Sequence, residues 1–152
     1  ATALYRALVE RQLRAIPAEW AVRVDFAPTD ARDEMASWLD PVAGRPIVWT
    51  PQPDGDLGQR LAGTARGAFA AGAGRVILLG GDCPTLSSDH LLAAERSLET
   101  HDVTIAPARD GGYVLLGLSH EAPGVFEGVT WSTSAVLEET LARARGLGLT
   151  VD

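Results

Sequence analysis

The chain contains no lysine; all 13 of its basic residues are arginines, spread over 152 positions. It therefore cannot supply a Schiff-base lysine or a phosphate-gripping lysine. A single cysteine, Cys83, excludes an internal disulfide framework and fits a reducing, cytoplasmic setting. No apolar run approaches the roughly 18 residues that a membrane span needs. Positive charge is scarce too: 20 acidic residues leave a formal net charge of −7. That balance argues against nonspecific nucleic-acid binding and against a basic membrane-surface role. A phosphate-bearing small molecule stays compatible with it, because a divalent cation reverses the charge of an acidic site. The three histidines, His90, His101 and His120, show no metal-ligand spacing and read as surface residues. There is no Gly-x-Ser-x-Gly, no Walker loop and no recognisable Cys/His pair.

What is present alternates. The length suits one domain over residues 1–152, large enough for a real core. Helices are expected over 2–16, 31–39, 56–72, 88–99 and 133–145, and strands over 20–26, 46–50, 75–81, 102–108, 113–119 and from 149. In the first helix Leu4, Tyr5, Leu8 and Ile16 share an apolar face. Ser87 or Ser88 should cap the fourth helix, and Ser132 or Thr133 the fifth. Strands separated by long helices imply an α/β three-layer sandwich with a mostly parallel sheet. Ligands in such sheets bind beyond the carboxyl ends of the strands.

Four stretches could carry chemistry. "LLGGDCPTL", 78–86, sends the most apolar strand into two glycines and then Asp82. A carboxylate there is a hard donor suited to Mg²⁺ or Mn²⁺, or else an Asx cap of the turn. Cys83 reads as a small buried hydrophobe. Arg109-Asp110-Gly111-Gly112-Tyr113 places a second carboxylate after a second strand; Asp-Gly is also a strong hairpin signal. Two such acids could hold one metal ion and a diphosphate, or either could act as a base. "TPQPDGDLGQRL", 50–61, sets Gln52, Asp54 and Asp56 around the start of a helix, where Asp56 caps and pairs with Arg60. Such a start can also receive an anion or the polar edge of a base. In Thr130-Trp131-Ser132-Thr133, Trp131 stacks on a ligand or fills the core edge.

Together "GDLGQRL", "LLGGDCPTL", "APARDGGYVLLGL" and "VTWSTSAVL" resemble the glycosyltransferase-A-like bacterial family once classed as a domain of unknown function, also described as radical-SAM/selenodomain-associated transferases. The resemblance covers nearly the whole chain. It implies a nucleotide-diphospho-sugar transferase fold and a metal-dependent transferase that uses a nucleotide or nucleotide-sugar donor and a small-molecule acceptor, with Mg²⁺ or Mn²⁺. By it, Asp82 is the metal-binding aspartate, and Asp110 lies near the metal or the acceptor as a second catalytic group. Gln52, Asp56, Gly58 and Arg60 fall on the nucleotide side, and Gly111, Gly112, Trp131 and Thr133 on the substrate side. Members of the family begin with a strand and a phosphate-gripping loop, whereas this sequence opens at the first helix, so an upstream segment is expected. The rival expectations are a noncatalytic nucleotide-binding module and a structural subunit that self-associates.

Overall fold

The computed structural model describes residues 2–81 and 83–152. The chain divides into two compact units. The first comprises residues 1–52 and 81–92, and the second residues 53–80 and 93–152.

In the first unit, α1 (Ala3–Ala15) starts where the Thr2 hydroxyl accepts the Tyr5 N–H. β1 (Val22–Phe26) and β2 (Ile47–Pro51) pair in parallel, with α2 (Arg32–Ala43) as their crossover. α2 runs through Pro41 to Ala43, four residues beyond the expected end, and closes on a left-handed Gly44 C-cap. A left-handed cap is the usual use of glycine at a helix end. Leu13, Val22 and Leu39 form the core, flanked by Val9, Ile16, Met35, Trp38, Ile47 and Trp49. The apolar face of α1 is thus centred on Val9, Leu13 and Ile16. Leu4 and Tyr5 stay 72% and 44% exposed, contrary to the face expected from the sequence. Below this core the Gln12 amide donates to the Cys83 carbonyl at 3.4 Å. Cys83 is buried, as its reading as a small hydrophobe required.

In the second unit, β3 (Val76–Leu79), β5 (Tyr113–Leu118) and β4 (Val103–Pro107) form a sheet in the order β3-β5-β4. β5 is antiparallel to both neighbours. Val151 adds a parallel bridge to Val103 on the outer edge of β4, where a last strand was expected. The described strands therefore combine one parallel pair with a mixed sheet, a smaller parallel share than the sequence suggested. The reason is local. A tight Asp-Gly turn joins β4 to β5, and so short a link can only reverse direction. α3 (Leu57–Ala70), a 3₁₀ turn (Pro123–Phe126) and α5 (Val136–Gly146) pack around Ala65, Val103, Leu116, Leu118, Val125, Phe126 and Ala144. α4 (Ser88–Ser97) contributes residues to both units.

Candidate functional site

The Asp110 turn is built first by hydrogen bonds. Asp110 Oδ1 accepts the Gly112 N–H at 3.0 Å. The Ala108 N–H donates to the Gly112 carbonyl at 2.9 Å, and the Gly111 N–H to the Ala108 carbonyl at 3.3 Å. Gly111 has φ +88°, and a Cβ there would lie 2.1 Å from the Ser134 carbonyl oxygen. Only glycine meets both demands. The Gly111 carbonyl in turn accepts the Leu137 N–H at 2.9 Å, which fastens the turn to the first turn of α5. Because β5 runs against both neighbours, the carboxyl ends of β3 and β4 share one edge of the sheet. Gly80 donates its N–H to Val114 at 3.4 Å, so the exit of β3 is held at that edge. Asp110 therefore stands at the carboxyl edge of β3 and β4, exposed, with one oxygen engaged in the turn.

α3 opens on a full capping box. Asp56 Oδ1 accepts the Gln59 N–H at 2.9 Å, and Gln59 Oε1 accepts the Asp56 N–H at 2.9 Å. Arg60 Nε donates to the Gly55 carbonyl at 2.8 Å, which ties the preceding loop to the helix. Gly58 is a contact point: a Cβ would lie 2.7 Å from both the Phe126 carbonyl oxygen and Trp131 Nε1. Along this face of α3 runs a cleft of about 460 Å³, closed by Pro123, Phe126, Glu127 and Trp131. Its volume is within the range of small-molecule sites. Trp131 is half-buried and meets Tyr113 edge-to-face, ring centroids 6.5 Å apart. Trp131 thus packs at the core edge and also lines the cleft.

Of the residues singled out from the sequence, the structure brings Asp56, Gly58 and Trp131 to this cleft, and places Asp110, Gly111 and Gly112 together in the hairpin turn. Gln52 lies in the other unit, where its N–H donates to the Phe26 carbonyl at 2.8 Å and continues the β1–β2 pairing. Asp82 lies outside the described residues. Ser132 and Thr133 do not cap α5. The helix begins at Val136 after Ala135, which offers no side-chain cap. Thr133 instead closes its own turn, donating to the Thr130 carbonyl at 2.7 Å and accepting the Ala135 N–H at 3.3 Å. Ser132 adopts φ +64°, a left-handed conformation that removes it from a cap position. At α4, Ser88 is the first helical residue and donates its hydroxyl to the Ala15 carbonyl, while the Ser87 hydroxyl meets His90 Nδ1 at 2.8 Å. His101 is half-buried against Ser97 rather than on the surface.

Glu139 carries no site signal in the sequence. Its carboxylate accepts both the N–H and the hydroxyl of Thr130, at 2.5 and 3.1 Å, and so pins the loop that carries Trp131 to α5. A glutamate in the first turn of a helix reads in sequence as a solvated dipole partner. Behind Trp131, burial pushes the Tyr113 phenol up to about 12, and Thr140 opposes the rise only in part. Both hydroxyls are buried without a hydrogen bond of ordinary length among the described residues. Tyr113 is therefore a neutral packing group at working pH.

Comparison with known proteins adds three findings. Residues 12–133 match the model of a family described as an uncharacterized protein conserved in bacteria (DUF2064). The chain is 34% identical over 134 residues to the 3-phospho-D-glycerate guanylyltransferase of Phenylobacterium zucineum (strain HLK1), covering 88% of this chain and 57% of that one. It superposes with a TM-score of 0.83 and 30% identity on a crystal structure from Desulfovibrio desulfuricans G20, provisionally described as a nucleotide-diphospho-sugar transferase. That match covers 97% of this chain and 64% of the other. The fold is therefore of the glycosyltransferase-A type expected from the motifs, and the chain spans less than two thirds of either relative. Among the described residues, no helix is long and apolar enough to cross a membrane.

Proposed function

The chain belongs to the bacterial DUF2064 family, and from that premise we propose that it acts in nucleotidyl transfer from a nucleoside triphosphate to a small phosphorylated acid. The observation that carries this reading is the 34% identity to a guanylyltransferase over 88% of the chain. The position of Asp110 at the carboxyl edge of β3 and β4 agrees with it. In the proposed reaction an acceptor oxygen attacks the α-phosphorus of the triphosphate. The bond from that phosphorus to the bridging oxygen breaks, pyrophosphate leaves, and the acceptor keeps the nucleotidyl group.

The residues present suit a cation with few protein ligands. Among the described residues no three of His, Cys, Asp and Glu cluster as a metal cage. Mg²⁺ is ordinarily held by one or two carboxylates together with substrate phosphates and water. Asp110 is the described carboxylate that would hold Mg²⁺ or Mn²⁺; Asp82 has the same role in the proposal, on the resemblance alone. The ion supplies charge neutralisation on the phosphates when bound. The protein's own contribution is positional. The hydrogen-bonded turn fixes Asp110, the capped start of α3 presents Asp56 and Gly58, and Trp131 walls the adjoining cleft.

The test is thermal stability with nucleoside triphosphates, with and without Mg²⁺ or Mn²⁺, followed by pyrophosphate release in the presence of 3-phospho-D-glycerate. A ligand at about a hundred times its Kd adds roughly 2.7 kcal/mol, a rise of several degrees. A rise that needs both GTP and the metal, lost in Asp110→Asn, is the expected result. No rise with any triphosphate would reject the reading.

A further inference from the structure

We propose that Arg109 grips the phosphate of the anionic acceptor; the identity of that acceptor rests on the function proposed above. In an acidic chain without lysine, arginine is the side chain with a permanent positive charge that can meet an anionic substrate directly. Topology narrows the choice within the second unit. Arg75 precedes β3, and Arg96 ends the helix that precedes β4. Arg143 and Arg145 lie in the last turn of α5, which precedes the Val151 bridge parallel to β4. All four thus sit toward the amino ends of the parallel strands, away from the edge where Asp110 stands. Arg66 is paired with Glu121 at 3.1 Å. Arg60 spends its Nε on the Gly55 carbonyl.

Arg109 differs on each count. It stands at the carboxyl edge, beside Asp110, on the turn that three hydrogen bonds and the Gly111–Leu137 bond hold rigid. It is exposed, and among the described residues its guanidinium has no partner. A planar fork of donors on a fixed backbone is suited to bidentate capture of a phosphate or carboxylate. Placed one residue from the carboxylate proposed to hold the metal, it would bind the acceptor's phosphate while leaving the donor's phosphates to the cation. On this view Arg109 sets acceptor specificity and is a binding residue, not a group that moves protons.

The test follows the arginine side-chain Nε–H signals of the ¹⁵N-labelled protein, with Arg109→Gln identifying the signal of Arg109. The probes are 3-phospho-D-glycerate, D-glycerate and GTP with Mg²⁺. The Arg109 signal is expected to move saturably with 3-phospho-D-glycerate and not with glycerate. Arg109→Gln should weaken that affinity by about tenfold to a hundredfold, and Arg109→Lys should restore part of it. The thermal midpoint and GTP binding should stay as in the wild type. An Arg109 signal that ignores 3-phospho-D-glycerate overturns the inference, even if GTP binds and the transferase reading stands. A signal that moves with GTP alone also overturns it, by assigning Arg109 to the donor. Capture of 3-phospho-D-glycerate through Arg109 without nucleotide binding would uphold the inference and reject the transferase reading.

Discussion

Gly111 is the position at which one residue decides the candidate site. Its φ of +88° disfavours any side chain, and its neighbour is the Ser134 backbone, which cannot rotate away. Strain at such a φ costs about 1–3 kcal/mol, and overpacking adds a similar amount. Gly111→Ala should therefore lose roughly 2–6 kcal/mol, read as a lower urea midpoint. It should also release Asp110 from its place, so any metal-dependent nucleotide binding should fall more than global stability does. Gly112→Ala is the control. It serves the stability readout alone, because its nearest prospective contact is a side-chain atom, Asp110 Oδ1 at 3.3 Å, rather than backbone. An unchanged midpoint in Gly111→Ala would mean that the turn relaxes freely and does not fix Asp110.

At the scale of elements, Arg45 shows how a helix end is secured across sequence distance. Its guanidinium donates to the carbonyls of Ile16 at 2.6 Å and Trp20 at 3.4 Å, and also to that of Pro17. These carbonyls lie just beyond the end of α1, where the chain turns toward β1; that of Pro17 also accepts the Trp20 N–H at 3.1 Å. Hydrogen bonds from a charged group contribute about 1.5–3 kcal/mol. Arg45→Met keeps much of the stem and removes the donors, so a loss in that range is expected in denaturant unfolding. A loss below about 0.5 kcal/mol would show that water satisfies these carbonyls equally well. The same logic governs the Thr130 loop, which Glu139 ties to α5 although the two are nine residues apart in sequence.

For the whole molecule, the acidic composition meets two carboxylates that the fold holds in ionised form. Glu10 lies below its ordinary range chiefly because Trp38 donates its indole N–H to it at 2.9 Å. Asp102 lies below its range chiefly because the Thr150 backbone N–H donates to it at 2.8 Å, which fastens the last residues beside β4. A carboxyl depressed in the folded state lends stability that is complete above its unfolded value and disappears as the pH falls through the folded one. The urea midpoint should therefore be level from pH 7 to about 5 and decline below about 4. Asp102→Asn should make that decline shallower, and a decline of unchanged slope would show that the contact to Thr150 is not made in solution. Tyr113 acts on the opposite side. Its raised value, about 12, gives stability complete below the ordinary phenol range and lost as the pH climbs toward 12.

Local patterns were legible in the sequence wherever the physics is local. The five helices and five strands of the described residues follow from apolar period, glycine stops and β-branched runs, because these act within a few residues. The Asp56 cap and the Asp110 hairpin were readable for the same reason, and the quoted motifs sufficed to name the fold. The direction of β5 follows from the same hairpin signal, because so short a turn reverses the chain and brings the ends of β3 and β4 to one edge. Two things were decided only in three dimensions. Which face of α1 is buried depended on where β1 and α2 stand, so Leu4 and Tyr5 stayed exposed while Val9 and Leu13 went inside. The start of α5 depended on Gly111 accepting the Leu137 N–H and on the Ser132 backbone turning left-handed, which moved the cap past Ser132 and Thr133. In each case the deciding partner is remote in sequence or is a backbone group, and neither leaves a trace in the identity of the residue it acts on.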